Sequence, residues 1–322
     1  MPETMRAAVI DRPGNPDVLR LDEVAHPTPI NSEFLVKVVA AGINPIDAKT
    51  RAGAGVFAAI DRLPAVLGHD FSGVVVQSPF SAHPIKPGDE VFGMVMVPRF
   101  GGSYAEYVSV PSMSVVRKPS TLSHIEAAAV PVAAMTAWGL VVDVARAHDG
   151  QRILIHAGAG GVGHFAVQLA AYFGAYVITT GSEKNRAWLH QLGAAEVIDY
   201  RSARFEDTVS EVDVVVDLIG NVHENTGSRS LRVLRSGGLI INVPTGSWPT
   251  FAEDAASAGV RGTNFKVSPD GNVLAVISRL LESGAIRAQV DGIFDLGEAA
   301  AAHRALELGH TRGKIVLKVA EG

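Results

Sequence analysis

Three glycines, Gly158, Gly160 and Gly163, are spaced in a way that suits the binding of a phosphate group. An apolar run from Ile153 to Ile155 precedes them, as a buried parallel strand requires. Glycines at such a turn let the backbone approach a pyrophosphate, and the N–H groups of a following helix attract its negative charge. The stretch therefore predicts a dinucleotide-binding site, and a glycine-rich turn without a ligand is the alternative.

The residues around these glycines predict the elements that position them. Apolar residues after the turn fall on one face of an α-helix, at Val162, Phe165, Ala166, Leu169, Ala170 and Phe173. Gly174 follows, where a helix commonly ends. The segment expected to bind the cofactor runs from Gly158 to Gly163 and includes Ala159, Gly161 and Val162.

The composition limits the class of protein. The 322 residues are 47% hydrophobic and 19% charged, as in a globular chain long enough for two domains. The net charge of −5 is spread along the chain, so no basic face for nucleic acid is expected. There is no cysteine, no apolar run of membrane-spanning length, and no apolar signal-peptide core near the N-terminus. We expect a soluble cytoplasmic protein that binds neither nucleic acid nor membrane.

The sequence pattern changes in character near residue 123. Short strands separated by proline and glycine fill residues 5–121, which favours a barrel-like or sandwich-like domain. Ser123 and Glu126 form a capping box that opens a helical segment. From Arg152 the chain alternates strand and helix, which implies a parallel doubly wound sheet. Its strands are expected at 152–157, 175–180, 196–198, 212–217 and 238–243.

The alternation is expected to stop around 260–268. The tail then predicts a helix at 271–283, an extended stretch at 286–294, a helix at 297–308 and a strand at 314–319. We interpret the tail as returning to the first domain. The nucleotide domain would then be an insertion, with the cofactor in the cleft between domains at the carboxyl ends of the parallel strands.

With these motifs in place, the chain resembles the zinc-independent medium-chain dehydrogenases/reductases, on their quinone oxidoreductase or enone reductase side. The resemblance covers essentially the whole length. Its markers are Ala41-Gly-Ile-Asn-Pro-Ile-Asp47, Leu67-Gly-His-Asp-Phe-Ser-Gly73, Lys86-Pro-Gly-Asp-Glu-Val-Phe92, Gly102-Ser-Tyr-Ala-Glu-Tyr107, Thr136-Ala-Trp138, His156-Ala-Gly-Ala-Gly-Gly-Val-Gly163 and Gly313-Lys-Ile-Val-Leu317. It implies an α/β fold, in which a GroES-like β-rich catalytic domain (1–122 and 266–322) contains an inserted Rossmann domain (123–265).

The chain departs from the zinc-dependent relatives at their metal ligands. Those relatives carry a cysteine in the region of Asn44, a His-Glu pair where this chain has His69-Asp70, and further cysteines. This chain has none of the cysteines, and zinc favours several nitrogen or sulfur ligands in a tetrahedron. We therefore expect no metal site and assign His69 a structural or pocket-shaping role. A zinc alcohol dehydrogenase is the disfavoured alternative.

The same resemblance points to NADPH as the cofactor. NAD-specific relatives place an acid at the end of the second strand of this domain, and here that position is Gly181, followed by Ser182 and Lys184. Related NADPH-dependent reductases bind the 2′-phosphate with such residues and with a tyrosine that matches Tyr200. In the alternative interpretation Glu183 is the acid that binds the ribose, and Lys184 is a solvated surface lysine.

The resemblance also implies catalytic roles for a hydride transfer to a quinone or an α,β-unsaturated carbonyl. Asn44 and Thr136 would surround the nicotinamide, and Asp47 would fix the loop that carries Asn44. Lys49 would stabilise the developing oxyanion, an electrostatic effect that often dominates catalysis; a surface lysine after a turn is the alternative.

Further residues are implied near the nicotinamide: Val243, Thr245 and Gly246 after one strand, and Phe265 and Val267 in the return segment. For Tyr104, Tyr107, His303, Arg304 and Lys314 we expect packing, folding or domain contact. Dimerisation is common in the family, and we expect a homodimer through an edge strand near 238–250. A non-catalytic, NADPH-binding structural or sensor protein remains the alternative, because the cofactor motif would survive in it.

Overall fold

The computed structural model describes residues 3–95 and 102–321. Its chain divides into two compact units, Met1–Met135 with Ser268–Gly322, and Thr136–Val267. The second unit is thus an insertion in the sequence of the first. The domain ranges expected from the sequence, with boundaries at 122/123 and 265/266, stay a prediction. Residues 123–135 fall with the first unit in this division.

The first unit is rich in β-strands. Its strands, numbered in chain order for the whole molecule, are β1 (Thr4–Ile10), β2 (Arg20–Ala25), β3 (Glu33–Ile43), β4 (Ala65–Val66), β5 (Asp70–Gln77), β6 (Glu90–Met94), β7 (Tyr107–Pro111), β8 (Val115–Arg117), β15 (Val290–Asp295) and β16 (Lys314–Lys318). Its helices are α1 (Pro45–Arg51), α2 (His124–Ala128), α8 (Gly271–Glu282) and α9 (Ala299–Glu307), and α3 (Pro131–Trp138) contains the boundary with the second unit.

Strand β3 is the centre of the larger sheet of this unit. The sheet runs β15-β16-β3-β5-β6-β8, and β3 pairs with β7 along its first half and with β16 along its second half. A smaller antiparallel sheet has the order β2-β1-β4. The core beneath these strands contains fully buried Phe34, Phe71 and Tyr104. The marked apolar content of β3 follows from this position, because a central strand is covered on both faces.

The second unit alternates strand and helix. Its strands are β9 (Arg152–Ile155), β10 (Tyr176–Gly181), β11 (Glu196–Asp199), β12 (Val212–Asp217), β13 (Leu234–Asn242) and β14 (Arg261–Asn264). Its helices are α4 (Gly161–Tyr172), α5 (Arg186–Gln191), α6 (Thr226–Ser230) and α7 (Phe251–Ser257), and a wider π-type segment, Gly139–Val144, continues α3.

The sheet of the second unit is parallel throughout and has the order β11-β10-β9-β12-β13-β14. The order reverses at β9: β10 and β11 follow on one side of it, and the chain then crosses to β12, β13 and β14 on the other side. Because the strands are parallel, their carboxyl ends all lie at the same end of the sheet. A ligand of such a sheet binds at that end, where the strand order reverses. The predicted doubly wound sheet is confirmed.

The alternation ends with β14 at Asn264, within the range 260–268 in which it was expected to stop, although α7 and β14 themselves were not predicted. One expectation about the end of this unit is wrong. Strand β13, expected near an edge, is paired on both sides, and the edge strand of the described sheet is β14. The short segment Arg261–Asn264 is largely polar and has no apolar pattern that would reveal a strand, because it faces solvent along one side.

Most other element predictions agree with the structure. Ser123 Oγ accepts a hydrogen bond from Glu126 N at 3.2 Å, as the capping box requires. Helix α4 ends before Gly174, whose φ is +86°. Helix α4 is buried around most of its circumference, since His164, Val167 and Gln168 are buried together with the predicted apolar face. Residues 96–101, within the stretch 5–121 predicted to be rich in strands, lie outside the described residues.

Within the part of the chain that the structure describes, no helix has the length and apolar character needed to span a bilayer.

Candidate nucleotide-binding and active site

The glycine turn between β9 and α4 has the geometry of an anion-binding loop. Gly158 N donates to Thr180 O at 3.0 Å, and Gly160 caps the helix with extended backbone. Gly160 has no side chain and so provides no side-chain cap for α4. The N–H groups of Gly161 to Gly163 thus start the helix without a side-chain cap, as a helix that binds a phosphate would.

Two of the glycines are required by close packing and one is not. A Cβ on Gly163 would lie 2.1 Å from Ala157 O, and a Cβ on Gly158 would lie 2.0 Å from Thr179 Oγ1. A Cβ on Gly160 would meet Ala157 O at 3.3 Å, a tight contact but not an overlap, and its φ of −79° suits any residue. The protein itself therefore requires Gly158 and Gly163, whereas a ligand that approaches closely is what would require Gly160.

Buried His156 holds the glycine loop through hydrogen bonds, a role that was not predicted from the sequence. Ala157, with φ at +52°, donates its N–H to Thr180 Oγ1 at 3.0 Å. His156 lies 3.2 Å from the same hydroxyl through Nδ1 and 2.8 Å from Ser230 Oγ through Nε2. Burial lowers the pKa of His156 to about 3, so the imidazole is neutral. Because Ser230 Oγ donates to Thr226 O, Nε2 carries the proton and Nδ1 accepts from Thr180.

The end of β10 carries the residues expected at the 2′-phosphate. Gly181 ends the strand, Ser182 is buried next to it, and Lys184 is exposed. Within the described residues no hydrogen bond or ion pair holds the Lys184 ammonium. The Glu183 carboxylate, by contrast, is engaged by the Arg186 guanidinium through Nε at 3.0 and 2.8 Å and through Nη2 at 2.8 Å. The alternative acid is thus engaged in an ion pair within its own turn.

Strand pairing brings Tyr200 to the same place. Gly181 is opposite Asp199 in the β10–β11 register, so the residues after both strands emerge side by side. Tyr200 is half exposed, and the Arg201 guanidinium lies 5.7 Å from its ring centroid. Arg201 is a second exposed cation at this edge that the sequence reasoning missed. Its position next to Tyr200 after a strand was the available signal.

The remaining residues expected near the nicotinamide are spread over the second unit. Val243 follows β13 and donates its N–H to Asp217 O at 3.0 Å, and Thr245 is exposed beyond it. Phe265 and Val267 are half-buried after β14. The Phe265 ring packs against Gly139, where a Cβ would lie 2.1 Å from it. Thr136 is buried within α3. Their roles toward a cofactor stay predictions.

In the first unit, Asn44 is the N-cap of α1 and is buried to 3% exposure. Its N–H donates to Asp47 Oδ2 at 2.9 Å, the contact that a loop-fixing role for Asp47 requires. Its side-chain Nδ2 donates to Asp70 Oδ2 at 2.9 Å, and its Oδ1 accepts from Lys314 Nζ. The structure thus brings together four polar side chains from α1, β5 and β16. Sequence reasoning had associated Asn44 with Asp47, but not with Asp70 or Lys314.

Asp47 is also the centre of a second buried group. It binds His69 Nδ1 through Oδ1, and Tyr104 Oη donates to its Oδ2 at 3.1 Å. His303 Nε2 lies 3.3 Å from Tyr104 Oη. Burial alone would raise the pKa of Asp47, but His69 and the other donors hold it below its ordinary value. Burial lowers the pKa of His303 to about 4, so it is neutral and donates to the Tyr104 oxygen.

Lys49 lies in the last turn of α1 with its side chain exposed. No hydrogen bond or ion pair fixes its ammonium within the described residues. Such a free cation is available to a substrate oxygen, and it also fits the alternative of a solvated surface lysine. The described residues contain no group of three or more His, Cys, Asp or Glu side chains that could hold a metal ion.

Two family models match the chain. The model described as alcohol dehydrogenase GroES-like domain matches residues 31–120, and the model described as zinc-binding dehydrogenase matches residues 192–317. They cover parts of the first and second units and the return segment. The first of them agrees with the GroES-like domain implied by the sequence resemblance.

Several proteins that are similar over nearly the whole chain are named as reductases or oxidoreductases. The 2-methylene-furan-3-one reductase of Solanum lycopersicum is 36% identical, over 98% of this chain and 80% of its own length. The NADPH-dependent alkenal/one oxidoreductase, chloroplastic, of Arabidopsis thaliana is 35% identical over the same shares. The solved quinone oxidoreductase of Coxiella burnetii is 38% identical with a TM-score of 0.92, over 98% of this chain and 99% of that one.

Fold, glycine turn and relatives together define a two-unit dehydrogenase/reductase with a nicotinamide-binding Rossmann sheet. The chain belongs to the medium-chain dehydrogenase/reductase family, within its group of quinone oxidoreductase-like proteins. It is an oxidoreductase that uses NAD(P)H.

Proposed function

We propose that the protein is an NADPH-dependent reductase that transfers a hydride to a quinone or an α,β-unsaturated carbonyl compound without zinc. The observation that carries the proposal lies at the carboxyl end of β10. There Glu183, the carboxylate considered as an alternative ligand of the ribose diol, is paired with Arg186, while Lys184 has no ion pair or hydrogen bond among the described residues. A 2′-phosphate would gain charge-assisted hydrogen bonds from Lys184 and from the Ser182 and Tyr200 hydroxyls.

The side chains at the positions of the metal ligands support the proposed independence from zinc. The chain has no cysteine, and Asn44 already accepts a hydrogen bond from the Lys314 ammonium. One ring nitrogen of His69 is engaged by Asp47. A fixed cation on Asn44 would repel a second cation bound to the same oxygen. These residues do not fit a zinc site, and we derive no step through a metal.

A reduced nicotinamide supplies the hydride when it is bound. The residues of this chain then stabilise the oxyanion that forms on the substrate when it accepts the hydride. Asn44 offers an amide donor from a buried, fixed position, and Lys49 offers an exposed ammonium. Either can stabilise the oxyanion of an enolate or a quinol, because negative charge develops on oxygen as the hydride reaches the conjugated carbon. Protonation of that oxyanion or of its α-carbon completes the reduction.

The glycine turn and His156 keep the cofactor loop rigid during this chemistry. A neutral imidazole holds Thr180, and Thr180 holds the N–H of Ala157 in its left-handed conformation. We further propose that the substrate is a small molecule, that the protein acts in the cytoplasm and that it forms a homodimer. Strand β14 offers the unpaired sheet edge that a partner copy could extend.

Steady-state assays test the proposal. NADPH and NADH are each offered with 1,4-quinones and α,β-unsaturated ketones, and NADP⁺ is offered with simple alcohols, with and without a metal chelator. We expect oxidation of NADPH by at least one unsaturated class, unaffected by the chelator. Alcohol oxidation that the chelator abolishes would establish a zinc dehydrogenase instead, and absence of turnover with every acceptor would favour a non-catalytic NADPH-binding protein.

A further inference from the structure

We propose that Lys314 and Asp70 are positioning residues that fix the side-chain amide of Asn44 in one orientation for the reaction. The inference rests on the proposed function, in which Asn44 acts on the reacting groups. The three side chains come from different parts of the sequence, and all are buried. They make their contacts inside the first unit.

The Lys314 ammonium has three N–H groups and three oxygen partners. It donates to Ile43 O at 2.7 Å, to Asp70 Oδ2 at 3.3 Å and to Asn44 Oδ1. Its side chain is 4% exposed. Because an ammonium can only donate, the atom of Asn44 that faces it has to be the amide oxygen. Lys314 therefore determines the orientation of the Asn44 side-chain amide.

Asp70 fixes the other side of the same amide. Its Oδ2 accepts from Asn44 Nδ2 at 2.9 Å, and its Oδ1 accepts from the backbone N–H of Val132 at 2.7 Å. The carboxylate is fully buried, and burial raises its pKa, while Lys314 acts in the opposite direction. A carboxylate tied to a backbone N–H cannot follow a moving side chain. An amide flip would place Nδ2 against the ammonium, a donor facing a donor.

This arrangement leaves one defined group of Asn44 available. Its oxygen is bound by Lys314 and one of its two Nδ2 protons is bound by Asp70, while the hydrogen bonds of the described residues leave the second Nδ2 proton unused. Asn44 would therefore present a single N–H in a fixed direction. A rigid donor of this kind stabilises a developing oxyanion without reorganising during the reaction.

A role in folding alone makes a different prediction. Buried ion pairs often contribute little net stability, so loss of Lys314 through folding alone would lower the amount of active protein or the melting temperature. A loss of this kind would not depend on whether Asn44 is present. A double-mutant cycle in kcat separates the two roles, because residues that act as a unit are not additive.

The cycle uses Lys314→Met, Asn44→Ala and the double variant, each measured at saturating NADPH with the acceptor identified for the wild type. We expect Lys314→Met to lower kcat about ten- to a hundredfold, as for a lost hydrogen bond to a charged group, with NADPH affinity within about twofold. In the Asn44→Ala background we expect no further loss. Lys318→Met, on the same strand but with a partly exposed side chain that pairs with Glu321, is the matched control and should keep the wild-type kcat. An equal loss in both backgrounds, or an unchanged kcat in Lys314→Met, would overturn the proposal.

A second readout does not depend on activity. With ¹⁵N label only in asparagine, the side-chain amide signals of Asn44 are identified by their absence in Asn44→Ala. We expect slow exchange of at least one of these protons in the wild type and clearly faster exchange in Lys314→Met. Asp70→Asn provides the same test should Lys314→Met not fold. Unchanged exchange in the folded variant contradicts the positioning role, whereas altered exchange in a protein that oxidises no NADPH would contradict only the proposed function.

Discussion

Glu183 and Lys184 are neighbours in the chain, yet only one of them is available to a cofactor. The carboxylate of Glu183 is held by Arg186 three residues later, and the ammonium of Lys184 points to solvent without a partner among the described residues. An ion pair at this spacing is a common feature of a helical turn. In the proposed site the adenosine end of the cofactor would meet a positive charge, and such a charge favours a 2′-phosphate over a free diol.

Removal of the Lys184 charge should reduce the preference for NADPH. We expect Lys184→Ala to weaken NADPH binding roughly ten- to a hundredfold, since a charge-assisted hydrogen bond contributes about 1.5–3 kcal/mol. NADH binding should change little, and fluorescence titration of both cofactors measures the difference. Glu183→Gln is the matched variant and should leave both affinities nearly unchanged. A large loss of NADH binding in Glu183→Gln would mean that Glu183 binds the ribose.

Lys49 provides a test of oxyanion stabilisation. Substitution by Met keeps the length of the side chain and removes its charge, so kcat should fall by about tenfold or more. NADPH affinity should stay within about twofold, because Lys49 lies in α1 of the first unit and is not part of the dinucleotide-binding loop at 158–163. Lys37→Met removes an exposed charge from β3 and serves as the control. An unchanged kcat in Lys49→Met would assign Lys49 to the solvated surface.

At the scale of elements, folding requires one glycine of the turn, Gly163, and we expect cofactor binding to require another, Gly160. Gly163 allows α4 to pack on the end of β9, since a Cβ there would overlap Ala157 O at 2.1 Å. Gly160 has ordinary backbone and only a 3.3 Å contact with the same oxygen. Backbone approach to a pyrophosphate is the remaining reason for a glycine at this position.

Two substitutions in this turn should therefore have different effects. Gly163→Ala should lower the free energy of unfolding by about 1–3 kcal/mol, as expected for an overpacked position. Gly160→Ala should change that free energy by less than about 1 kcal/mol and weaken NADPH binding at least about tenfold, because the methyl group would occupy space that the pyrophosphate needs. Denaturant titration and cofactor titration of both variants provide the comparison. Normal NADPH affinity in Gly160→Ala would contradict the position assigned to the phosphates.

At the scale of the whole molecule, two buried histidines, one in each unit, couple stability to pH. The pKa of His156 is about 3 and that of His303 about 4, each lowered mainly by burial. In the unfolded chain both are near 6.5, so between these values the unfolded state binds more protons than the folded state. Stability is then fully present above about pH 6.5 and declines as the pH falls toward the folded values.

The decline should be measurable above the range in which most carboxylates titrate. Between pH 6.5 and 5 each histidine should remove roughly 2 kcal/mol from the free energy of unfolding of its unit. Denaturant unfolding at several pH values measures it, and His303→Gln should flatten the slope for the first unit. A free energy of unfolding that stays constant from pH 6.5 to 5 would show that these histidines are not neutral by burial.

Local patterns predicted much of the fold. The apolar run of β9, the glycines and the helical spacing of α4 are adjacent in sequence, and so are the capping box at Ser123 and the alternation of the second unit. Strand β14 escaped prediction because its four residues, Arg261 to Asn264, carry no apolar signal. The spacing of three residues between Glu183 and Arg186 is typical of an ion pair in a helical turn, but this pair was not predicted.

The polar network around Asn44 could not be read from the sequence. Asn44 and Lys314 are 270 residues apart, and no local periodicity marks Lys314 as buried. Only the pairing of β16 with the end of β3 places its ammonium against Ile43 and Asn44. The role of His156 has the same origin, because Ser230, its partner, lies 74 residues away.

The central claim is that the protein delivers a hydride from NADPH to a conjugated acceptor. A single-turnover experiment tests it most directly: protein with bound NADPH, or with NADPH deuterated at the transferred position, is mixed with 1,4-quinones and α,β-unsaturated ketones while NADPH absorbance is followed. The account predicts oxidation by at least one of these classes, slowed about twofold or more by deuterium as expected when hydride transfer limits the rate, and much weaker binding of NADH. Bound NADPH that stays reduced in the presence of every acceptor would contradict it.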